Sequence, residues 1–188
     1  METIYYILLA IVSFSLIKSI FFPADRTPIP ETSGRVYKAA TAAELRAVLA
    51  SSACVVVDFY ADWCPPCRAI APVFSGLADA HADAVDGGSG GRLAFAKVNV
   101  DRVPGVAAYF EVTAMPTFVV FRGGAPAGVA VAGLAARPSV VRDGDGLVTR
   151  VRGADKVALE AVVRALAAEV GSAGEVPEPS GVVVAEKE

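Results

Sequence analysis

Cys54-Val55-Val56-Val57-Asp58-Phe59-Tyr60-Ala61-Asp62-Trp63-Cys64-Pro65-Pro66-Cys67-Arg68 is the stretch on which the fold turns. Its first seven residues are almost continuously apolar and β-branched or aromatic, the composition of a central strand covered on both faces. From Pro66 to about Ala82 the residues Ile70, Val73, Phe74 and Leu77 recur at helical spacing, with Pro72 inside the run as an expected kink. Cys64 and Cys67 therefore sit where a buried strand hands over to a helix. Asp58 interrupts the apolar strand, and a carboxyl in such surroundings has its charged form disfavoured.

Thiol–disulfide exchange needs one exposed thiolate to attack and a second thiol near enough to resolve the mixed disulfide. The C-x-x-C spacing at a helix start supplies both. Cys64, ahead of the helix, meets its N-terminal partial positive charge and is the candidate nucleophile; Cys67, one turn in, is the candidate resolving thiol. Metal binding is the competing use of such a pair. Beyond it the chain offers only Cys54, within the apolar run, and His81, which argues against a zinc site. Cys54 reads as a small core hydrophobe, His81 as a residue near a helix end, and Asp143-Gly144-Asp145-Gly146 as a turn lacking the other ligands of a calcium loop.

Working outward, Val36 and Tyr37 suit a short strand, and Thr41-Ala42-Ala43-Glu44 has the capping-box pattern that opens a helix through about Ala50. Downstream, a glycine-rich loop over Gly87 to Gly91 precedes a strand from Leu93 to Val100, a short helix from Val103 to Phe110 and a strand from Thr117 to Phe121. Arg122 to Gly146 is loop-like, a flexible elaboration or a partner-binding loop. Leu147 to Val151 forms a last strand and Asp155 to Val170 a final amphipathic helix. This alternation implies an α/β domain over residues 35–170.

The ends read differently. Ile4 to Phe22 is apolar except for Ser13, Ser15, Ser19 and Lys18, about the length of a membrane-spanning helix. A cleaved signal fits less well, because only Glu2 precedes the run, and a buried helix is the minor alternative. Residues 1–22 are thus expected to be a transmembrane anchor or signal. Lys18, Arg26, Arg35 and Lys38 lie at or beyond the C-terminal end of this run and favour a single-pass protein with a cytoplasmic catalytic domain, a secretory-pathway lumen being the alternative. Residues 23–34, with three prolines, read as a linker, and residues 171–188 as a disordered tail. A net charge of -3 leaves no basic surface for nucleic acid.

The segment from Val56 to Arg68, followed by Pro72, closely resembles the active-site segment of thioredoxins. Lys97-Val98-Asn99-Val100-Asp101, Val112 to Phe118 and Gly153-Ala154-Asp155-Lys156 resemble three further thioredoxin segments in the same order. The resemblance implies a thioredoxin-like fold, a central mixed β-sheet flanked by helices, here preceded by one transmembrane helix. It implies a protein-disulfide reductase with a Cys64–Cys67 redox-active disulfide, acting on disulfide-containing proteins, and the apolar N-terminal run would place it at a membrane surface. No cofactor or metal is implied, and electrons come from a thioredoxin-reductase-type donor. Asp58 matches the buried aspartate that assists proton transfer at the resolving cysteine, Lys97 the lysine beneath it, and Pro116 the cis-proline facing the cysteines. Trp63, Pro116 and its neighbour Met115 are the implied substrate-binding residues. Two departures stand out: Pro65-Pro66 replaces the usual Gly-Pro, and the connection between Phe121 and Gly153 is long. A lumenal oxidase or isomerase and a non-catalytic binding module are the alternative functions.

Overall fold

The computed structural model describes residues 2–21, 27–82, 92–134 and 137–172. The glycine-rich loop over Gly87 to Gly91, the first part of the expected linker and nearly all of the expected tail lie outside the described residues. The elements in chain order are α1 (Glu2–Phe21), β1 (Val36–Ala39), α2 (Ala42–Ser51), β2 (Cys54–Tyr60), α3 (Pro65–His81), β3 (Leu93–Asn99), α4 (Pro104–Tyr109), β4 (Thr117–Arg122), β5 (Ala125–Pro126), β6 (Val140–Arg142), β7 (Val148–Arg152) and α5 (Lys156–Ser172).

The strands form one mixed sheet in the order β1-β3-β2-β4-β7-β6, with β5 paired to β4. β2 runs parallel to β3 and antiparallel to β4. Every residue of β2 and β3 is buried, because helices cover both faces of the sheet centre. Alternation divides the strands between the two layers. Cys54, Val56, Phe95, Phe118 and Val120 pack with Phe74 and Leu77 of α3 and Leu159 and Leu166 of α5. Val55, Val57, Phe59, Ala96 and Val119 pack with Leu45 and Leu49 of α2 and Val106 of α4.

Local signals explain the element ends. At α2 the Glu44 N–H donates to Thr41 Oγ1 at 3.1 Å, and the Glu44 carboxylate reaches back to the Ala40 N–H at 2.8 Å. Pro65 and Pro66 open α3, where missing N–H groups cost no helical bond. The described residues of the 122–146 connection carry more regular structure than their sequence suggests. β5 turns back on β4, Val129 bridges to Val148, Leu134 is buried, and β6 adds an edge strand to β7.

The expectation of a membrane anchor over residues 1–22 is overturned. α1 forms, but among the described residues no helix is long and apolar enough to cross a membrane. A span needs about 20 consecutive, predominantly apolar residues. The described helix runs over Glu2–Phe21, and its sequence is broken by Glu2, Lys18 and three serines. With the span go the transmembrane part of the expected fold class, the membrane as a partner, and the single-pass localisation with its choice of side.

Candidate active site

The β2–α3 junction places the two cysteines. Cys64 is the N-cap of α3 and Cys67 lies one turn in; they are joined by a disulfide with their Cα atoms 5.3 Å apart. Because Pro65 and Pro66 carry no N–H, the first helical donor is that of Cys67, which reaches Cys64 Sγ at 3.2 Å. Cys67 is fully buried and Cys64 is 4% exposed.

Opposite stands the loop before β4. Met115-Pro116 is a cis peptide, and the Met115 carbonyl oxygen lies 3.6 Å from Cys64 Sγ. The loop is held from both sides. Thr117 Oγ1 donates to the Ala114 carbonyl at 2.8 Å, and the Gly153 N–H to the Pro116 carbonyl at 2.7 Å. Gly153 has φ 80°, a left-handed conformation that favours glycine, so the Gly153-Ala154 turn after β7 locks the proline loop in place.

Trp63 is partly exposed beside the cysteines and its indole N–H donates to Asp101 Oδ2 at 2.7 Å. Asp101 accepts with its carboxylate and donates its own N–H to Asn99 Oδ1 at 2.9 Å, while the Asn99 amide donates to Asp62 Oδ2 at 2.9 Å. The end of β3 thereby braces both residues that precede Cys64.

Asp58 points to the α3 side of the sheet, like Tyr60 two residues on, which packs with Cys64 and Cys67. It is 4% exposed and its Oδ1 has no hydrogen-bond partner among the described residues. Burial pushes its pKa up to about 7, partly opposed by the charge of Lys97, which stands opposite it in the β2–β3 register. Lys97 is itself buried, with its Nζ 5.4 Å from the Tyr60 ring centroid. Its hydrogen bond goes to Glu31, a residue from the proline-rich stretch that carries no motif of its own. Burial raises the Tyr60 phenol to about 12, with the Asp62 and Glu31 charges adding to the rise.

The structure thus brings Cys64, Cys67, Trp63, Met115 and Pro116 together at one end of the sheet, with Asp58 and Lys97 behind them. Ile29, Glu31, Asp62 and Asn99 are additional residues of this region that single-residue signals did not mark. Cys54 is remote and buried, which raises its thiol pKa, with the Arg122 charge opposing. Among the described residues no three metal-ligating side chains cluster.

The comparisons with known proteins follow this geometry. A family model described as thioredoxin matches residues 36–142. The chain is 52% identical over 81 residues to a thioredoxin-like protein of Fusarium culmorum, covering 43% of this chain and 62% of that protein. It is 45% identical over 84 residues to a Neurospora crassa thioredoxin, covering 45% and 61%. The matched part therefore spans less than two thirds of these curated relatives. Among solved structures, the thioredoxin of Malassezia sympodialis is 28% identical at a TM-score of 0.51, covering 75% of this chain and 96% of that one. That of Plasmodium falciparum is 26% identical at a TM-score of 0.50, covering 68% and 96%. With more than half of the sequence inside the family match, and the cysteine pair and the cis-proline loop among the matched residues, this chain belongs to the thioredoxin family.

Proposed function

We propose that this chain is a thiol–disulfide oxidoreductase that reduces disulfides in protein substrates through Cys64 and Cys67 of its Trp-Cys-Pro-Pro-Cys site. The observation that carries this reading is the Cys64–Cys67 disulfide at a helix N-terminus, facing a cis-proline loop and backed by a buried carboxyl. The catalytic unit is residues 35–170, and a separate thioredoxin-reductase-type enzyme returns the oxidised pair to the dithiol.

In the reduced protein the Cys64 thiolate attacks one sulfur of the substrate disulfide; that S–S bond breaks, a mixed disulfide forms, and the other substrate sulfur leaves as a thiolate that takes up a proton. The helix N-terminus and the Cys67 N–H stabilise the Cys64 thiolate. Cys67 then gives its proton to the Asp58 carboxylate, which near neutral pH is part ionised. The Cys67 thiolate attacks Cys64 Sγ, and the second substrate thiolate leaves and is protonated. Two electrons and two protons have passed from dithiol to substrate. The Met115–Pro116 backbone, whose Met115 carbonyl faces Cys64, suits an extended substrate segment, with Trp63 beside it.

Insulin reduction by the full chain with dithiothreitol as electron source tests the reading. The wild-type protein is expected to accelerate it, Cys64→Ser to fall to background, and Cys67→Ser to accumulate a mixed disulfide visible by mass spectrometry. A Cys64→Ser protein as active as wild type would overturn the assignment.

A further inference from the structure

The stretch between α1 and β1 lies against the redox centre. Ile29 is buried among Tyr60, Ala61, Cys64 and Cys67, and its N–H donates to Asp62 Oδ1 at 3.3 Å. The Thr27 carbonyl accepts from the guanidinium of Arg68, the residue after Cys67, at 2.9 Å. These contacts set the position of Glu31. One of its carboxylate oxygens binds the Lys97 ammonium and the other lies 3.3 Å from Lys38 Nζ.

The Lys97 side chain is only 10% exposed, and the register sets it opposite Asp58, whose Oδ1 is without a partner among the described residues. An ammonium beside a buried carboxyl would be expected to pair with it, since attraction between charges is strong away from water. Here the lysine spends its hydrogen bond on Glu31, and only its charge reaches Asp58. Glu31 lies below its ordinary range: partial burial pushes its pKa up, and the hydrogen bonds and charges of Lys97 and then Lys38 more than offset this.

We propose that Glu31 is a positioning residue of the redox centre, drawing the Lys97 ammonium outward so that the buried Asp58 carboxyl stays out of an ion pair and free to exchange a proton with Cys67. The inference rests on the reading of Asp58 as proton carrier. The groups around the pair are Tyr60 on β2, Lys97 on β3, Cys67 on α3, and Asp62 and Arg102, which act on Tyr60 through their charges. Glu31 is the carboxylate hydrogen-bonded to Lys97, and Lys38 lies on its other oxygen. Without it the lysine is released toward Asp58 and favours the ionised carboxyl, so the Asp58 titration moves to lower pH.

The test titrates the Asp58 carboxyl carbon by NMR in the oxidised full chain, for wild type, Glu31→Gln, Lys97→Met and the double variant. Glu31→Gln is expected to lower the midpoint by roughly half a pH unit, and Lys97→Met to raise it. The double variant should match Lys97→Met alone, because Glu31 acts through the lysine. An unchanged midpoint in Glu31→Gln, or a Glu31→Gln shift that persists without Lys97, overturns the proposal; a simple loosening of the Ile29 stretch would give the second result. The pH profile of insulin reduction separates this from the reading beneath it. Asp58→Asn removing no limb of that profile would sink the proton-carrier role, and the proposal with it. Asp58→Asn removing a limb that Glu31→Gln moves to lower pH supports both.

Discussion

Pro65 and Pro66 take the first two positions of α3, and neither has an N–H to give. The Cys64 sulfur therefore meets a single helical donor, that of Cys67. A glycine at position 65 would return one N–H to the reduced site and loosen the chain between the cysteines, and both changes favour the dithiol. A charge-neutral hydrogen bond contributes about 1 kcal/mol net, and about 30 mV corresponds to 1.4 kcal/mol for a two-electron couple. Pro65→Gly is thus expected to raise the Cys64–Cys67 reduction potential by roughly 10–30 mV, read by equilibration against glutathione buffers. A potential that falls would mean the proline stabilises the dithiol by another route. Both cysteines and Asp58 were legible from local sequence, since a charged residue in an apolar strand and a cysteine pair at its end each stand out. Glu31 was not, because its importance comes from Lys97, distant in sequence and adjacent in space.

Helix α5 shows how an element can be tied to a connection that reads as loop. Asp155 caps it, accepting from the Ala158 N–H at 3.1 Å, and also takes Ser139 Oγ at 2.6 Å and Arg137 Nη1 at 2.9 Å from the segment before β6. Partial burial raises the Asp155 pKa, but these partners more than offset it and hold the carboxyl below its ordinary 3.8. The stability it contributes is present above the unfolded value and lost as pH falls through the folded one. Asp155→Ala is expected to cost about 1–2 kcal/mol at pH 7 and progressively less as pH falls below the ordinary 3.8, measured by urea denaturation at pH 7 and at acid pH. An equal cost at both pH values would show that packing, not the carboxylate, holds this corner. Strands β5 and β6 were invisible in the sequence for the same reason: they are short edge pieces, stabilised by β4 and β7 more than by any pattern of their own.

Across the domain, Asp58 and the surface carboxylates pull stability in opposite directions with pH. The Asp58 pKa rises from 3.8 to about 7 on folding, so the native state holds a proton that the unfolded chain releases. Below about pH 4 both states are protonated and nothing is lost; stability then falls as pH rises through 7, by on the order of 4 kcal/mol in full. Glu31 and Asp155, both lowered, contribute the opposite slope at acid pH. Stability should therefore peak near about pH 4, where the unfolded carboxylates titrate, and Asp58→Asn should gain a few kcal/mol at pH 8 but little at pH 4. Denaturant midpoints for the two proteins across that range check this; a gain independent of pH would mean that the Asp58 charge is compensated in the folded state. The cost is consistent with a carboxyl kept for chemistry rather than for folding.

What the sequence determined by itself was everything carried by short-range pattern: the buried strand, the helix that follows it, the capping box at α2, and the cysteine pair between strand and helix. Four ordered segments were enough to identify the family and, by position, the proline that the structure finds in a cis peptide. The apolar run at the N-terminus was over-read, because composition alone does not measure a continuous span. Only the tertiary structure decided what faces Asp58 and Lys97. Burial is produced by layers that meet from distant parts of the chain, and the direction in which a buried charge finds its partner is set by whichever segment those layers leave beside it. Here that segment is the proline-rich stretch with Ile29 and Glu31, which folds against the redox centre.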